Sequence, residues 1–374
     1  MRSRLVTDYR QDLAIFKTRP QKVIVAVVAG LAVAFPFVFS SDFTPPLGFP
    51  WRAWLTAANL ALIASIGAAA FNLLLGYTHQ VSVAHAAFLM LGTMTAGYLG
   101  SIHHVSFWVI LPISLLVGAV VGALVGLPAL RFRGLYLLVA TFGVHFFFLQ
   151  VYKTFQTSFF GFNAIRFPAP EVPVWLAQLG VFTPDAEGRV LIQGDFRWYW
   201  VLLPIAVLSI AYMSNVIRLR EGRAFRAIAQ HDVSASLTGI DVTATKLRAF
   251  AISSAFVTMS GVLGSYYLRA RGEDSFPFEV VLFYAIMVIV GGFSSTQGAV
   301  LGALFFYFFP TFFDWFRSRA PVVRDIKFLQ AYANEINLAG FGILIIIVLV
   351  FRPGGLVGVW RSLKGYWGRW PFST

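Results

Sequence analysis

The chain is expected to fold as an all-α polytopic membrane protein of about ten transmembrane helices, with both termini cytoplasmic. Three observations carry that expectation. Of 374 residues, 58% are hydrophobic and only 12% are charged, against about 25% charged in an ordinary soluble domain. The mean hydropathy is +0.74. Apolar runs long enough to cross a bilayer recur along the whole chain. A β-barrel does not fit, because its strands alternate apolar and polar residues over about ten positions and these runs do not. With no cysteine in the chain, disulfides, thiolate metal sites and cysteine nucleophiles are excluded.

Residues 1–22 carry Arg2, Arg4, Arg10, Lys17, Arg19 and Lys22 and read as a cytoplasmic N-terminal segment. The apolar run that follows, Val23 to Phe39, lacks a small-x-small cleavage site and is expected to be a retained first helix. Spans are then expected near 54–76, 81–100, 106–127, 135–152, 198–217, 249–268, 279–292, 299–316 and 335–351. They form one membrane domain over 23–351, with a long external loop at 153–197, a cytoplasmic loop at 218–248 and a cytoplasmic tail at 352–374. The third and eighth spans are open to a re-entrant reading.

Charge orients this map. The side holding the N-terminus, the 128–134 and 218–248 loops and the C-terminus carries 18 Lys and Arg against 5 acids. The opposite side carries 11 of each. The positive-inside rule makes the basic side cytoplasmic, in a cell (inner) membrane. Its charge is suited to anionic headgroups and is no sign of nucleic-acid binding.

No Asp, Glu, Lys or Arg falls well inside a predicted span; Glu279, Asp314 and Glu335 sit at span ends. Ion-coupled carriers generally need an ionisable group at membrane depth. His85 and His145 are the only candidates, and neither has an acid or cysteine nearby that would suggest a metal site. Two stretches echo each other, Gly118-Ala-Val-Val-Gly-Ala-Leu-Val125 and Gly298-Ala-Val-Leu-Gly-Ala-Leu-Phe305. They lie five spans apart and run in opposite directions, as an inverted five-plus-five repeat requires. Chance recurrence in a small apolar alphabet is the competing explanation.

The 218–248 loop is unlike the rest of the chain. Gly222 to Gln230 has helix formers, with Ala224, Phe225 and Ile228 on one face. Asp232 is placed to cap a second short helix over 233–238. Gly239 follows where a left-handed C-cap residue belongs. Asp241 or Thr243 is placed to cap the re-entering span. Three readings compete: a structured cover over helix ends, a lipid-surface helix, and a docking element that passes a soluble partner's motion to the membrane helices.

Several motifs together resemble a known family. They are Gly76-Tyr-Thr-His-Gln-Val-Ser-Val-Ala-His-Ala-Ala-Phe88, Arg131-Phe-Arg-Gly-Leu-Tyr-Leu137, and Gly222-Arg-Ala-Phe-Arg-Ala-Ile228 with Gly239-Ile240 and Lys246-Leu247. Gly291-Gly292 followed by Gly298, and Phe351-Arg-Pro-Gly-Gly-Leu356, complete the set. In this order the chain resembles the permease subunits of branched-chain amino acid ABC transporters, specifically the M-type membrane subunit. The resemblance implies a non-catalytic subunit paired with a homologous sister permease. It also implies two ATP-binding-cassette ATPases on the cytoplasmic loops and a periplasmic or lipid-anchored solute-binding protein. The 218–248 loop would be the ATPase-coupling element, through Arg223, Phe225, Arg226, Ile228, Asp232 and Gly239, with Arg226 meeting acidic partner groups. No Gly-x-x-x-x-Gly-Lys-Ser/Thr phosphate loop occurs here, so ATP and Mg would be held by a partner chain and no cofactor by this one.

The chain departs from the family pattern in four places. His79 and Ala84 stand where the family has glycine. Thr157 to Ile165 replaces a Thr-Gly-Gly-type stretch, and Ala299 a common proline.

Gln80, Ser82 and His85, with Gly291 and Gly292 as counterparts in the second half, are candidates for a solute path along broken helices. The competing reading makes 77–80 and 293–297 ordinary cytoplasmic turns. The alternative functions are a self-sufficient secondary transporter or facilitator, and an intramembrane enzyme built on Gly292-Phe-Ser-Ser295. The enzyme reading lacks a base, because no histidine follows that stretch.

Overall fold

The structure, a computed structural model, describes residues 19–38, 51–80, 82–131, 135–161, 164–172, 190–319 and most of 339–358. Residues 1–18, 132–134, 162–163 and 173–189 of the 153–197 loop, Glu335 and residues 359–374, all of which carry expectations above, lie outside it.

The described chain is helical almost throughout. Its helices are α1 (Arg19–Val38), α2 (Trp51–Asn72), α3 (His85–Ala96), α4 (Phe107–Arg131), α5 (Leu135–Phe160) and α6 (Gly194–Arg218). There follow the short α7 (Arg220–Gln230) and α8 (Asp232–Leu237), then α9 (Val242–Leu268), α10 (Glu279–Gly291) and α11 (Thr296–Arg319). α2 and α3 each end in a π-helical turn, Leu73–Tyr77 and Gly97–Ile102. One small ribbon pairs β1 (Ile165–Arg166) with β2 (Ala270–Arg271) antiparallel. Described residues between 339 and 351 are also helical.

Among the described residues, seven helical segments are long and apolar enough to cross a membrane: Arg52–Tyr77, Phe107–Leu127, Tyr136–Phe160, Gly194–Arg218, Val242–Leu268, Glu273–Gly291 and Thr296–Phe316. Two predicted boundaries shift. α5 runs on to Phe160 rather than stopping near 152, tied along the way by Lys153 Nζ to Glu273 Oε2 at 3.3 Å. The described part of the span predicted over 81–100 is helical only from His85, because Thr78 to Gln80 and Ser82 to Ala84 are unwound.

Burial separates the centre from the periphery. About four-fifths of the apolar windows of α2 (83%) and α9 (78%) is buried, against 17% for α11. A helix that is apolar all round belongs inside the bundle or against lipid, and these two take the centre. α9 packs against α3 and α4, and α2 against α10 and α11. Small residues allow the close approach. A Cβ on Gly92 would overlap the Thr258 carbonyl, and one on Gly261 the Leu89 carbonyl, so α3 and α9 touch backbone to backbone. Hydroxyls stitch the same seams. Ser253 Oγ donates to Ala70 O at 2.7 Å, Ser260 Oγ to Ile63 O at 2.9 Å and Ser254 Oγ to Gly118 O at 2.8 Å.

The two echoing stretches do the same job against different neighbours. Gly118 and Gly122 seat against Ser254 and Phe250 on α9, whereas Gly298 and Gly302 seat against Gly291 and Met287 on α10.

Candidate functional site

At one end of the bundle α7 and α8 fold across the helix termini. α6 stops at Arg218, Leu219 is extended, and α7 starts at Arg220. The corner closes because Gly222 has no side chain: a Cβ there would overlap the Ile217 carbonyl. Phe225 and Ile228 are buried, at 0% and 5% exposure, and Phe225 packs with Leu73, Leu74, Val216 and Phe250. α7 is therefore anchored to the ends of α2, α6 and α9 by the face that the sequence marks as apolar.

α8 ends as expected at Gly239, whose φ is +81°. The Gly239 amide donates to Ser236 O at 3.0 Å and the Ile240 amide to Ala235 O at 3.2 Å, the two bonds of a Schellman cap. No atom lies within 4 Å of where a Cβ would stand, so the glycine is required for its backbone and not for space. Gly239→Val is expected to cost about 1–2 kcal/mol of local stability through the left-handed conformation alone. Hydrogen exchange should quicken at the 235–241 amides and stay unchanged in α9; equal protection in the variant would refute this.

One expectation here is corrected. Asp232 is not the cap of α8. It sits in the first turn, where His231 holds the cap position, and its Oδ2 accepts from Lys246 Nζ at 2.6 Å. Both side chains are largely buried, at 11% and 15% exposure. A shielded lysine holds the acid more strongly than exposed amides would, because removing either partner strands a charge. Arg226 is exposed and also makes contacts within the chain. Its Nε donates to Gly222 O at 3.2 Å and its Nη2 to Ile217 O at 3.3 Å, so it caps the spent carbonyls of the α6–α7 corner. Asp241, of the two candidates, caps α9, accepting from Ala244 N at 3.0 Å.

Arg223 is exposed and lines a groove of ≈ 780 Å³ between α7, the Thr238–Asp241 turn and the start of α9, together with Arg220, Ala227 and Arg248. Arg248 Nη1 is held by Glu221 Oε1 at 2.8 Å.

The unwound segment lies directly beneath. His79 has φ +53°, the left-handed conformation that favours glycine, which accounts for the glycine of the family pattern at this position. Its Nδ1 is 3.1 Å from Ala229 O on α7, and its ring stacks on Phe293 at 5.8 Å. Ser294 Oγ donates to Gly76 O. The two turns predicted as counterparts thus touch each other and α7. The only sequence signal for His79 was that it replaced a glycine. Ser294, the loose nucleophile match, is occupied by a backbone carbonyl.

Of the path candidates, Gln80, Ser82 and His85 are buried at 6%, 4% and 4% exposure. Both amide atoms of Gln80 and Nε2 of His85 lack a hydrogen-bond partner among the described residues. Ser82 Oγ accepts from Ala84 N at 3.3 Å. The His85 ring is held between Phe71, at 5.0 Å, and Tyr284, at 4.1 Å. Gly291 and Gly292 lie apart from this cluster's walls. Gly291 meets Gly298 across the α10–α11 turn, and Gly292, at φ +132°, sits against Gly354 and Gly355. Two of the glycine pairs noted in the sequence are thereby packed on one another. His145 is buried in α5, 6.3 Å from the Phe278 ring. Among the described residues no group of three or more His, Asp or Glu could hold a metal.

A bundle of membrane-length helices, braced at one end by a helical loop carrying a groove, defines a multi-pass helical membrane protein. A family model described as the branched-chain amino acid transport system permease component matches residues 53–349. The chain belongs to this family. It is similar to the high-affinity branched-chain amino acid transport system permease protein LivM of Escherichia coli K12, 28% identical over 92% of this chain and 76% of that protein. A probable LivM of Methanocaldococcus jannaschii is 25% identical over 48% of this chain and 51% of its own length. The LivH permease protein of Salmonella typhimurium is 27% identical over 42% of this chain and 46% of its own length. No solved structure matches the chain significantly.

Proposed function

We propose that this chain is one of two membrane subunits of an ATP-binding-cassette importer, forming with a homologous sister permease the path for a small solute. The observation that carries the reading is the α7–α8 end. A groove with exposed Arg223 on its rim is rigidly coupled, through buried Phe225 and Ile228 and through His79, to the helices and turns inside the bundle. That is what a docking element needs in order to pass a partner's motion inward. The α7–α8 end is cytoplasmic, two ATPase subunits dock there, and the chain itself is non-catalytic. A solute-binding protein delivers the solute at the opposite end. Solutes of the branched-chain amino acid type, or related carboxylates and amides, fit the names of the relatives.

The ten-span, five-plus-five plan belongs to the same proposal. Counting α1, α3 and the 339–351 helix as spans, α4 on α9 corresponds to α11 on α2. Likewise α3 on α9 corresponds to α10 on α2, and α3 on α4 to α10 on α11. These reciprocal pairs support an inverted repeat.

The test is to purify the tagged chain from native membranes in mild detergent and identify its companions by mass spectrometry. An ATPase and a second, homologous permease are expected. Arg223→Glu should lower ATPase recovery several-fold while leaving the chain folded, because the reversed charge sits on the groove rim and in no internal bond. A chain recovered alone across several detergents would favour the self-sufficient transporter.

A further inference from the structure

Near the end of the bundle opposite α7, a cavity of ≈ 130 Å³ lies between α2, α9, α10 and α11. Its size is close to the engineered cavity of about 150 Å³ that accepts benzene, so it admits a small, compact solute. Its walls are mostly apolar and aromatic, including Ile63, Val280, Phe283 and Met287, with the rings of Tyr284 and Tyr307. One charged side chain lines it, Arg271.

Arg271 has no carboxylate partner among the described residues. Glu273, two positions on, is engaged with Lys153. The Arg271 guanidinium lies over the Phe276 ring at 5.3 Å, and its Nε is buried without a hydrogen-bond partner. Its Nη2 occupies space left by Gly264, 3.0 Å from where a Cβ would stand. The backbone beneath it is pinned from two sides. Arg271 pairs with Ile165 in the β-ribbon, and Tyr152 Oη donates to its carbonyl at 3.1 Å. Arg269, at φ +64°, turns the chain out of α9 so that β2 can fold back over the cavity. Burial lowers the Arg271 pKa, the direction expected for a cation that has lost water and gained no counter-ion.

A half-buried guanidinium whose Nε is buried without a partner is costly unless something completes it. Its planar fork of donors matches a carboxylate. We propose that this cavity is a solute site in which Arg271 binds the carboxylate of a small aliphatic acid. The alkyl part of the acid packs on Ile63, Val280 and Met287. No Asp or Glu lines the wall, so an ammonium group on the solute meets aromatic faces and serine and tyrosine hydroxyls but no counter-charge, and is not required for binding. The Tyr284 ring forms part of the cavity wall and touches His85 on its other side, 4.1 Å between ring centroids, so this ring stands between the site and the buried His85. The direction of passage rests on the importer reading; the site rests on its own geometry.

The test uses the full chain in lipid nanodiscs and radiolabelled L-leucine, with 4-methylpentanoate and L-leucinamide as competitors. The first competitor keeps the carboxylate and lacks the amine; the second keeps the amine and lacks the carboxylate. 4-Methylpentanoate should compete within about threefold of leucine and leucinamide at least about tenfold more weakly, the span a charge-assisted hydrogen-bonded pair supplies. Arg271→Gln should weaken both carboxylates at least about tenfold, and Arg271→Lys, which keeps the charge and loses the fork, by less.

Leucinamide competing as well as leucine would overturn the site, as would a wild-type chain that binds no carboxylate probe at millimolar concentration. These two results need no variant. In the assembled transporter, ATP-driven leucine uptake indifferent to Arg271→Gln would overturn the site and leave the importer reading standing. Carboxylate-selective binding without ATP-driven uptake would support the site and remove the importer reading.

Discussion

Gly222→Val is expected to abolish coupled transport while leaving the membrane helices inserted. The valine Cβ would overlap the Ile217 carbonyl, and the Ile217 Cα is also inside contact distance. These are backbone atoms at the end of α6, so no side-chain rotation relieves the overlap. The α6–α7 corner must open, and opening it withdraws Phe225 from its fully buried seat and breaks both Arg226 caps. Overpacking of this kind costs about 1–3 kcal/mol and more where backbone is hit. The lost burial of one Phe adds about 2 kcal/mol. The sum exceeds what a short surface helix can supply by itself, so α7 should detach as a unit. Uptake in vesicles should fall to background, and proteolysis should appear between 219 and 241. Uptake within twofold of wild type would mean that the corner tolerates a side chain and that α7 is not held as described.

Gly92→Leu is expected to prevent the bundle from closing. The Cβ of residue 92 would overlap the Thr258 carbonyl and lie 3.0 Å from the Val262 amide nitrogen. Gly261 on the facing helix is seated the same way against Leu89. Both partners at this crossing are glycine, so neither α3 nor α9 can yield locally, and the helices must separate along their length. The Thr93–Ser265 hydroxyl contact at 2.8 Å would be lost with them. In a membrane, helix association relies on close van der Waals packing and a few polar contacts. Loss of such a seam at the central helix should cost at least about 3 kcal/mol. The variant should aggregate or melt well below wild type in detergent. A monodisperse peak with unchanged melting would refute the backbone contact.

Much of the architecture was legible in the sequence. The apolar runs announced membrane helices because a lipid environment demands long, continuously apolar segments. The loop from 218 to 248 announced two short helices because its apolar residues recur at helical spacing and Gly239 stands where a helix must stop. What sequence reasoning missed was partner choice. Asp232 reads as a cap because caps are local, yet it pairs with Lys246, fourteen positions on. Arg226 reads as a cation available to a partner because nothing in the local sequence pairs it, yet its guanidinium already reaches the carbonyls of its own corner. Arg271 carries no local signal at all.

The sequence by itself determined that the chain is a polytopic helical membrane protein of the branched-chain amino acid permease family. Those properties follow from composition, periodicity and ordered motifs, each local along the chain. Only the tertiary structure decided which residues meet. It brought His79 to α7, laid Gly292 against Gly355, and set Arg271, paired with Ile165 in the ribbon, into a cavity wall beside Ile63 and Met287. Each of these joins residues separated by many positions. Their pairing depends on how α2 and α9 pack at the centre, and glycine contacts set that packing in a way that spacing along the chain does not encode.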